Sequence, residues 1–309
     1  MNGAPSSPAE RPALGITFLC CGLLFFAVQD AIVKGLVDDY SVPQLLMMRS
    51  LVAAPLLAIM VFYSGGLAGF RSPQLTLHLI RAALVIIAFM SYYTAVAAIA
   101  LVDVVALFST APLLITALAA WLLRERVGTR RWLAVGVGFV GVVVMLQPGS
   151  GVVEPIAGLG LVAAGAYACA ALIARRLGSG ESSVLIAFYG NTAFLLVCGT
   201  LLASSTWMEK VAGVTLPDTP LLGSYVHAPP GEMLVMLATG LVSLSGFVLV
   251  PRAYQVAPAS TISPFEYTYL LWALLIGWLF FAEIPSGATL VGAALVVSAG
   301  IYVSRLKQH

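Results

Sequence analysis

Ten stretches of about 20 apolar residues, parted by short polar breaks, run through nearly the whole chain. A helix needs about 20 such residues to cross a bilayer's hydrocarbon core, which is roughly 30 Å thick. Within that core each backbone N–H and C=O must find its partner inside the protein, and a helix provides this by itself. The pattern predicts an all-α membrane protein with ten transmembrane helices, over 14–36, 43–63, 75–98, 101–123, 131–147, 156–176, 184–205, 231–254, 258–281 and 286–304.

Composition excludes the soluble alternatives. Charged residues make up 9% and hydrophobic residues 61%, against about 25% charged in a soluble domain. The net charge of +2 is too small to attract nucleic acid. The four cysteines have neither CxxC nor Cys/His spacing, and no P-loop, HExxH or GxSxG occurs. No metal, cofactor or catalytic residue is therefore expected. The run GVGFVG at 136–141 has dinucleotide-loop spacing but lies in an apolar span with no strand before it. It reads as close helix packing by small residues.

The cations are distributed unevenly. With the N-terminus on one side, that side receives Arg11, Arg71, Arg81, Arg124, Arg126, Arg130, Arg131, Arg175, Arg176, Arg252, Arg305 and Lys307, twelve of the 15 Lys and Arg. Lys34, Arg49 and Lys210 fall on the other. The excess marks the cytoplasmic face, so both termini are expected in the cytoplasm, in a multi-pass protein of the inner membrane. The first apolar run is long and ends in Gln29-Asp30 with no small-residue cleavage pattern, so it reads as a helix rather than a cleaved signal.

The chain also repeats itself. Residues 95–125 and 253–283 each run about 20 residues past an aromatic-bearing helix and close on a glutamate, Glu125 and Glu283. AIVKGL at 31–36 matches LIARRL at 172–177 loosely, and Gly141 and Gly300 sit at similar places in the final spans. The unit is five helices, 1–149 and 150–309. Five is odd, so the second unit enters from the opposite face, giving an inverted repeat, a recurring device of secondary transporters. The single long connection, 206–230, holds Trp207, Pro217, Pro220, Pro229 and Pro230 and is expected as an irregular external cap.

Polar groups at membrane depth are few, and such groups commonly face a cavity. Glu266 shares a helix face with Tyr269 and suits contact with a substrate amine, or proton coupling. Gln29 and Asp30 form a polar end in span one, and Lys34 stands four residues on, the spacing of a helical ion pair. Arg49 either joins them or snorkels outward. Asp103 reads as an acid at a helix start. Rings gather at similar depth, among them Phe26, Phe89, Tyr92, Tyr93, Phe108, Tyr167, Tyr269 and Trp272. They suit a flat organic substrate through stacking or cation–π contact. Pro112 and Pro264 fall in the corresponding spans four and nine and are expected to kink them.

The ten-span plan, the five-helix duplication, the glutamates closing spans four and nine and the Gly-rich final span of each half resemble the drug/metabolite transporter (DMT) superfamily, EamA type. FFAVQDAIVKGL, MMRSLVAAPLL and SPFEYTYLLWALL look like a bacterial subgroup of it. The resemblance covers nearly the whole chain. It implies a basket-like bundle with a cavity lined by spans one, three, four, six, eight and nine. It also implies a secondary transporter, not an enzyme, exporting an amino acid or related metabolite by alternating access. The Tyr and Phe content suits an aromatic one. Uptake of riboflavin or S-adenosylmethionine is the alternative within the class. A membrane-embedded enzyme would need a nucleophile–base pair or metal ligands at depth. The histidines, His78, His227 and His309, sit near span ends or in loops. The expected partners are a small-molecule metabolite and the lipid bilayer. Since one chain carries both halves, it is expected to work as a monomer. The substrate-binding set is expected to be Glu266, Tyr269, Tyr92, Tyr93, Phe108, Phe26, Tyr167, Gln29 and Asp30.

Overall fold

The computed structural model describes residues 12–122, 128–146, 155–177, 181–214, 219–256 and 263–305. Among them the chain is helical, with α1 (Pro12–Lys34), α2 (Val42–Gly65), α3 (Leu75–Ala98), α4 (Leu101–Phe108), α5 (Ala111–Leu122), α6 (Thr129–Leu146), α7 (Gly158–Leu177), α8 (Ser183–Lys210), α9 (Pro230–Val256), α10 (Thr268–Phe281) and α11 (Gly287–Arg305). Short 3₁₀ turns occupy Gly66–Phe70, Pro155–Ala157 and Ser263–Tyr267. Five segments are long and apolar enough to cross a membrane: Ala13–Lys34, Val42–Phe70, Leu75–Ala98, Ser183–Lys210 and Pro230–Val250. Shorter apolar helices cover Leu101–Ile115, Trp132–Leu146, Gly158–Ala174, Phe265–Phe281 and Gly287–Tyr302.

Two predicted spans are interrupted near their prolines. The fourth breaks at Ser109-Thr110, and Pro112 becomes the second residue of α5, where a missing N–H leaves no helical bond unmade. The ninth begins, among the described residues, as the 3₁₀ turn holding Pro264 and Glu266, then runs into α10. The predicted cap at 206–230 is partly helix, because α8 continues to Lys210.

Outward faces are apolar: Ile59, Phe62, Leu79, Val140, Leu241, Leu271 and Phe280 are all exposed. Inside lie Gln29, Asp30 and Arg49, each 3% exposed or less. This reverses the soluble pattern and is what a hydrocarbon solvent selects. The most extensive seams join α1 to α9, α6 to α11, α3 to α7 and α2 to α8. Where α6 meets α11 the backbones nearly touch. A Cβ at Gly141 would lie 2.7 Å from the Gly292 carbonyl oxygen. The loop after α8 is fastened to the start of α2. The Gln44 amide donates to Val226 O at 2.7 Å and accepts from Val226 N at 3.0 Å, and Val42 N donates to Pro220 O at 2.8 Å.

The Gly141 contact yields a direct test. Gly141→Val forces a branched side chain against a carbonyl, an overpacking that costs about 1–3 kcal/mol. Gly136→Val adds the same atoms where no atom lies within 4 Å. Thermal unfolding in detergent should show a lower midpoint for the first variant only; equal midpoints would refute the seam.

Candidate functional site

Asp30 sits in the penultimate turn of α1 and is 3% exposed. A carboxylate there is tolerable only if its oxygens are served. Tyr93 donates to Oδ1 at 2.9 Å, Tyr92 donates to Oδ2 at 2.9 Å, and Tyr269 of α10 makes a short bond to Oδ2. Gln29 donates to the Tyr93 hydroxyl at 2.5 Å, and the Tyr92 and Tyr269 hydroxyls lie 3.2 Å apart. Hydrogen bonds to a charged group contribute about 1.5–3 kcal/mol each, so three offset much of the burial cost. Tyr92 and Tyr93 are neighbours on α3, yet both reach Asp30, their rings crossed at 79°.

Arg49 of α2 is 1% exposed. Its guanidinium lies over the rings of Phe89 and Phe194, 5.0 Å from each centroid. Among the described residues Nε, Nη1 and Nη2 have no hydrogen-bond partner. A desolvated cation–π contact contributes about 2 kcal/mol, while burying an ion costs several. The rings alone therefore leave this charge under-compensated. Asp30 acts on it electrostatically, without a hydrogen bond between them. The expectation that Arg49 snorkels outward or joins an Asp30–Lys34 group is not met. Close packing holds its backbone in place: a Cβ at Gly240 of α9 would lie 2.6 Å from the Arg49 carbonyl oxygen.

Lys34 turns away from Asp30. It pairs with Glu283 at 2.6 Å and donates to the Ile99 carbonyl at 2.9 Å. The other oxygen of Glu283 accepts from Leu101 N at 2.9 Å. The cause is local: Ala282 caps α10 with φ 52°, a left-handed turn that directs Glu283 back into the bundle. One carboxylate thus ties the ends of α1, α3, α4 and α10 together. Nearby, Thr289 of α11 donates to Asp103 at 2.6 Å.

A cavity of about 560 Å³ lies between α3, α7, α8 and α9. Glu181 lines one end and Phe194 the other, with Arg81, Val85, Asn191 and Phe247 among the walls. Glu181 precedes α8 and Phe194 lies 13 positions later, so the walls span roughly 20 Å along the helix at about 1.5 Å per residue. Glu181 takes a hydrogen bond from Ser72 and pairs with His78. Burial works against its charge, but the Ser72 and His78 bonds outweigh it and hold the carboxyl below its usual range. Arg81 Nε and Asn191 Oδ1 have no partner among the described residues.

Of the sequence-predicted residues, Gln29, Asp30, Tyr92, Tyr93 and Tyr269 converge. Phe108 extends the group, 5.4 Å from Tyr92, and Tyr167 lies 5.2 Å from Phe108. Glu266 stands outside the Asp30 cluster, acting electrostatically on Tyr167 and Tyr267. Phe26 packs edge-on against Phe247 at 5.3 Å, beside the cavity wall instead of the cluster. Phe194 and Asn191 escaped the sequence reading. Asn191 is an amide at membrane depth, with Phe194 one turn beyond it, and that pair is the signal that would have found them.

Residues 13–147 match the EamA-like transporter family. A riboflavin transporter of Rhizobium johnstonii is 30% identical over 240 residues, 78% of this chain and 74% of its own. The pseudopaline exporter CntI of Pseudomonas aeruginosa is 26% identical over 296 residues, 95% of this chain and 97% of its own. A protein crystal structure shares the fold at a TM-score of 0.59 and 16% identity, covering 94% of this chain and 96% of that one.

The lowered Glu181 carboxyl sets a pH dependence. A depressed folded value stabilises the folded state above the unfolded value, 4.5, and that stability is lost as pH falls through the folded one. Wild type should therefore be more stable than Glu181→Gln at neutral pH and converge with it below pH 4.5. A difference that stays constant under acid unfolding refutes the assignment.

Proposed function

As the chain belongs to the EamA-like transporter family, we propose that it moves a small organic metabolite across the cytoplasmic membrane by alternating access. The observation that carries this reading is the asymmetry of the interior. A cavity runs from Glu181 to Phe194, while Lys34 and Glu283 tie the opposite end shut. The cavity's wide end carries Arg81 and lies beside Arg71 and Arg176 in sequence order, the arginine-rich side. On the positive-inside reading this is a cytoplasm-facing state, and the Lys34–Glu283 pair closes the external side.

The two moving bodies are the proposed inverted halves, 1–149 and 150–309. Helix packing supports the pairing. Exchange each span for its counterpart five places on, and the α1–α9 seam becomes the α7–α3 seam. Under the same exchange the α2–α8 and α6–α11 seams map onto themselves. The interrupted fourth and ninth spans correspond as well. Both termini are then cytoplasmic, and one chain suffices as a monomer.

For the substrate, the strip Tyr92–Phe108–Tyr167 and the rings Phe89 and Phe194 suit a flat heteroaromatic compound by stacking. The similarity to a riboflavin transporter supports uptake of such a compound. Export of an amino acid or a derivative is the second reading. The separate opposite charges of Asp30 and Arg49 favour it, since they match a zwitterion, and the similarity to the pseudopaline exporter agrees. Asp30 takes over the central role first assigned to Glu266, which stands at the far end of the ring strip.

Counterflow into proteoliposomes, with and without a pH gradient, tests the reading. Wild type should exchange riboflavin or L-tryptophan faster than empty liposomes. Lys34→Gln and Glu283→Gln should each alter the rate by about the same factor, and the double variant by no more, as expected of a coupled pair. Failure to exchange either compound refutes the substrate classes, and additive effects refute the closure.

A further inference from the structure

The guanidinium of Arg49 is the least satisfied polar group in the described interior. All three nitrogens lack a hydrogen-bond partner, and the residue is 1% exposed. Phe89 and Phe194 cover it but carry no lone pairs, so its five N–H groups have no acceptor. Phe194 is also the residue that closes the cavity. One ring therefore stands between an empty, metabolite-sized space and an unserved cation. The same end of the cavity presents a complementary deficit: Asn191 Oδ1 lines the space with no donor. Arg49 lies on α2, outside the spans that the sequence resemblance assigns to the cavity wall.

Asp30 does not fill the need. Its oxygens accept from three tyrosines, which hold it on the other side of Tyr93. The rest of the described structure offers the guanidinium no carboxylate. What a planar, charged fork of donors takes best is a pair of adjacent coplanar acceptors, bound side by side.

We propose that Arg49 binds the transported molecule through two adjacent coplanar acceptors, once Phe194 swings aside. Such a pair is either a carboxylate or the N–C=O edge of a heteroaromatic ring such as a flavin. The inference rests on the transport reading above and adds the chemical mark by which the substrate is chosen. Phe89 remains stacked beneath the guanidinium, and Asn191 Oδ1 accepts an N–H of the same molecule. A closely related compound lacking one acceptor leaves Arg49 unserved and is rejected. Sites built around a buried polar group discriminate strongly against analogues that leave it unpaired.

The test is equilibrium binding to the full chain in nanodiscs, with four probes in two pairs. L-tryptophan is set against tryptamine, which lacks the carboxylate. Riboflavin is set against 1-deazariboflavin, in which carbon replaces the ring nitrogen beside the carbonyl. One pair should be separated by about 30-fold or more in wild type, and which pair it is identifies the source of the acceptors. In Arg49→Gln, checked for a monodisperse elution profile, the gap should fall to within about threefold. Should that variant not fold, the wild-type comparison decides alone. If a probe is bound and transported but neither pair is separated, this inference is overturned while transport stands. A gap that survives in Arg49→Gln overturns it too. Binding of none of the four overturns both this inference and the substrate reading on which it rests.

Discussion

The interior is organised by the cost of holding charge in hydrocarbon. An ion cannot be left bare at that depth, so each one dictates what surrounds it. Asp30 recruits three phenols from two helices, and α1, α3 and α10 are fixed relative to one another as a result. Lys34 and Glu283 neutralise each other and use their remaining hydrogen-bonding capacity on the backbone between α3 and α4. Arg49 is the exception. It has rings where it needs oxygens, and it lies where the empty space stops.

Much of this was legible in the sequence, for definite reasons. Helical spans are visible because a bilayer imposes a length and a hydropathy on each one. The polar end at Gln29-Asp30 and the tyrosines at 92, 93 and 269 stand out because polar groups are rare in such spans. The breaks near Pro112 and Pro264 follow from the missing backbone N–H.

What the sequence did not disclose is which partner each charge selects. Asp30 and Lys34 have the spacing of an ion pair, yet they separate. The left-handed turn at Ala282 delivers Glu283 to Lys34, and neither alanine nor its neighbours announce such a turn. Arg49 sits near a span end, where long side chains usually reach for water, but Phe89 and Phe194 converge from distant parts of the chain to enclose it. Glu266 draws attention as a lone acid in an apolar run, yet it occupies a 3₁₀ turn away from the carboxylate cluster. In each case the deciding contact is made by a residue remote in sequence, and helical periodicity carries no information about it.

The seams between helices have one more consequence. The four most extensive ones each join a helix from before residue 150 to one from after it: α1 with α9, α3 with α7, α2 with α8, α6 with α11. Neither stretch of chain is a self-contained solid, because each lends its helices' best faces to the other. During synthesis the leading five apolar segments must wait in the lipid with those faces unmatched until the trailing ones emerge. Assembly is therefore an act of interleaving rather than of docking two finished bodies, and the duplicated plan persists as a single inseparable molecule.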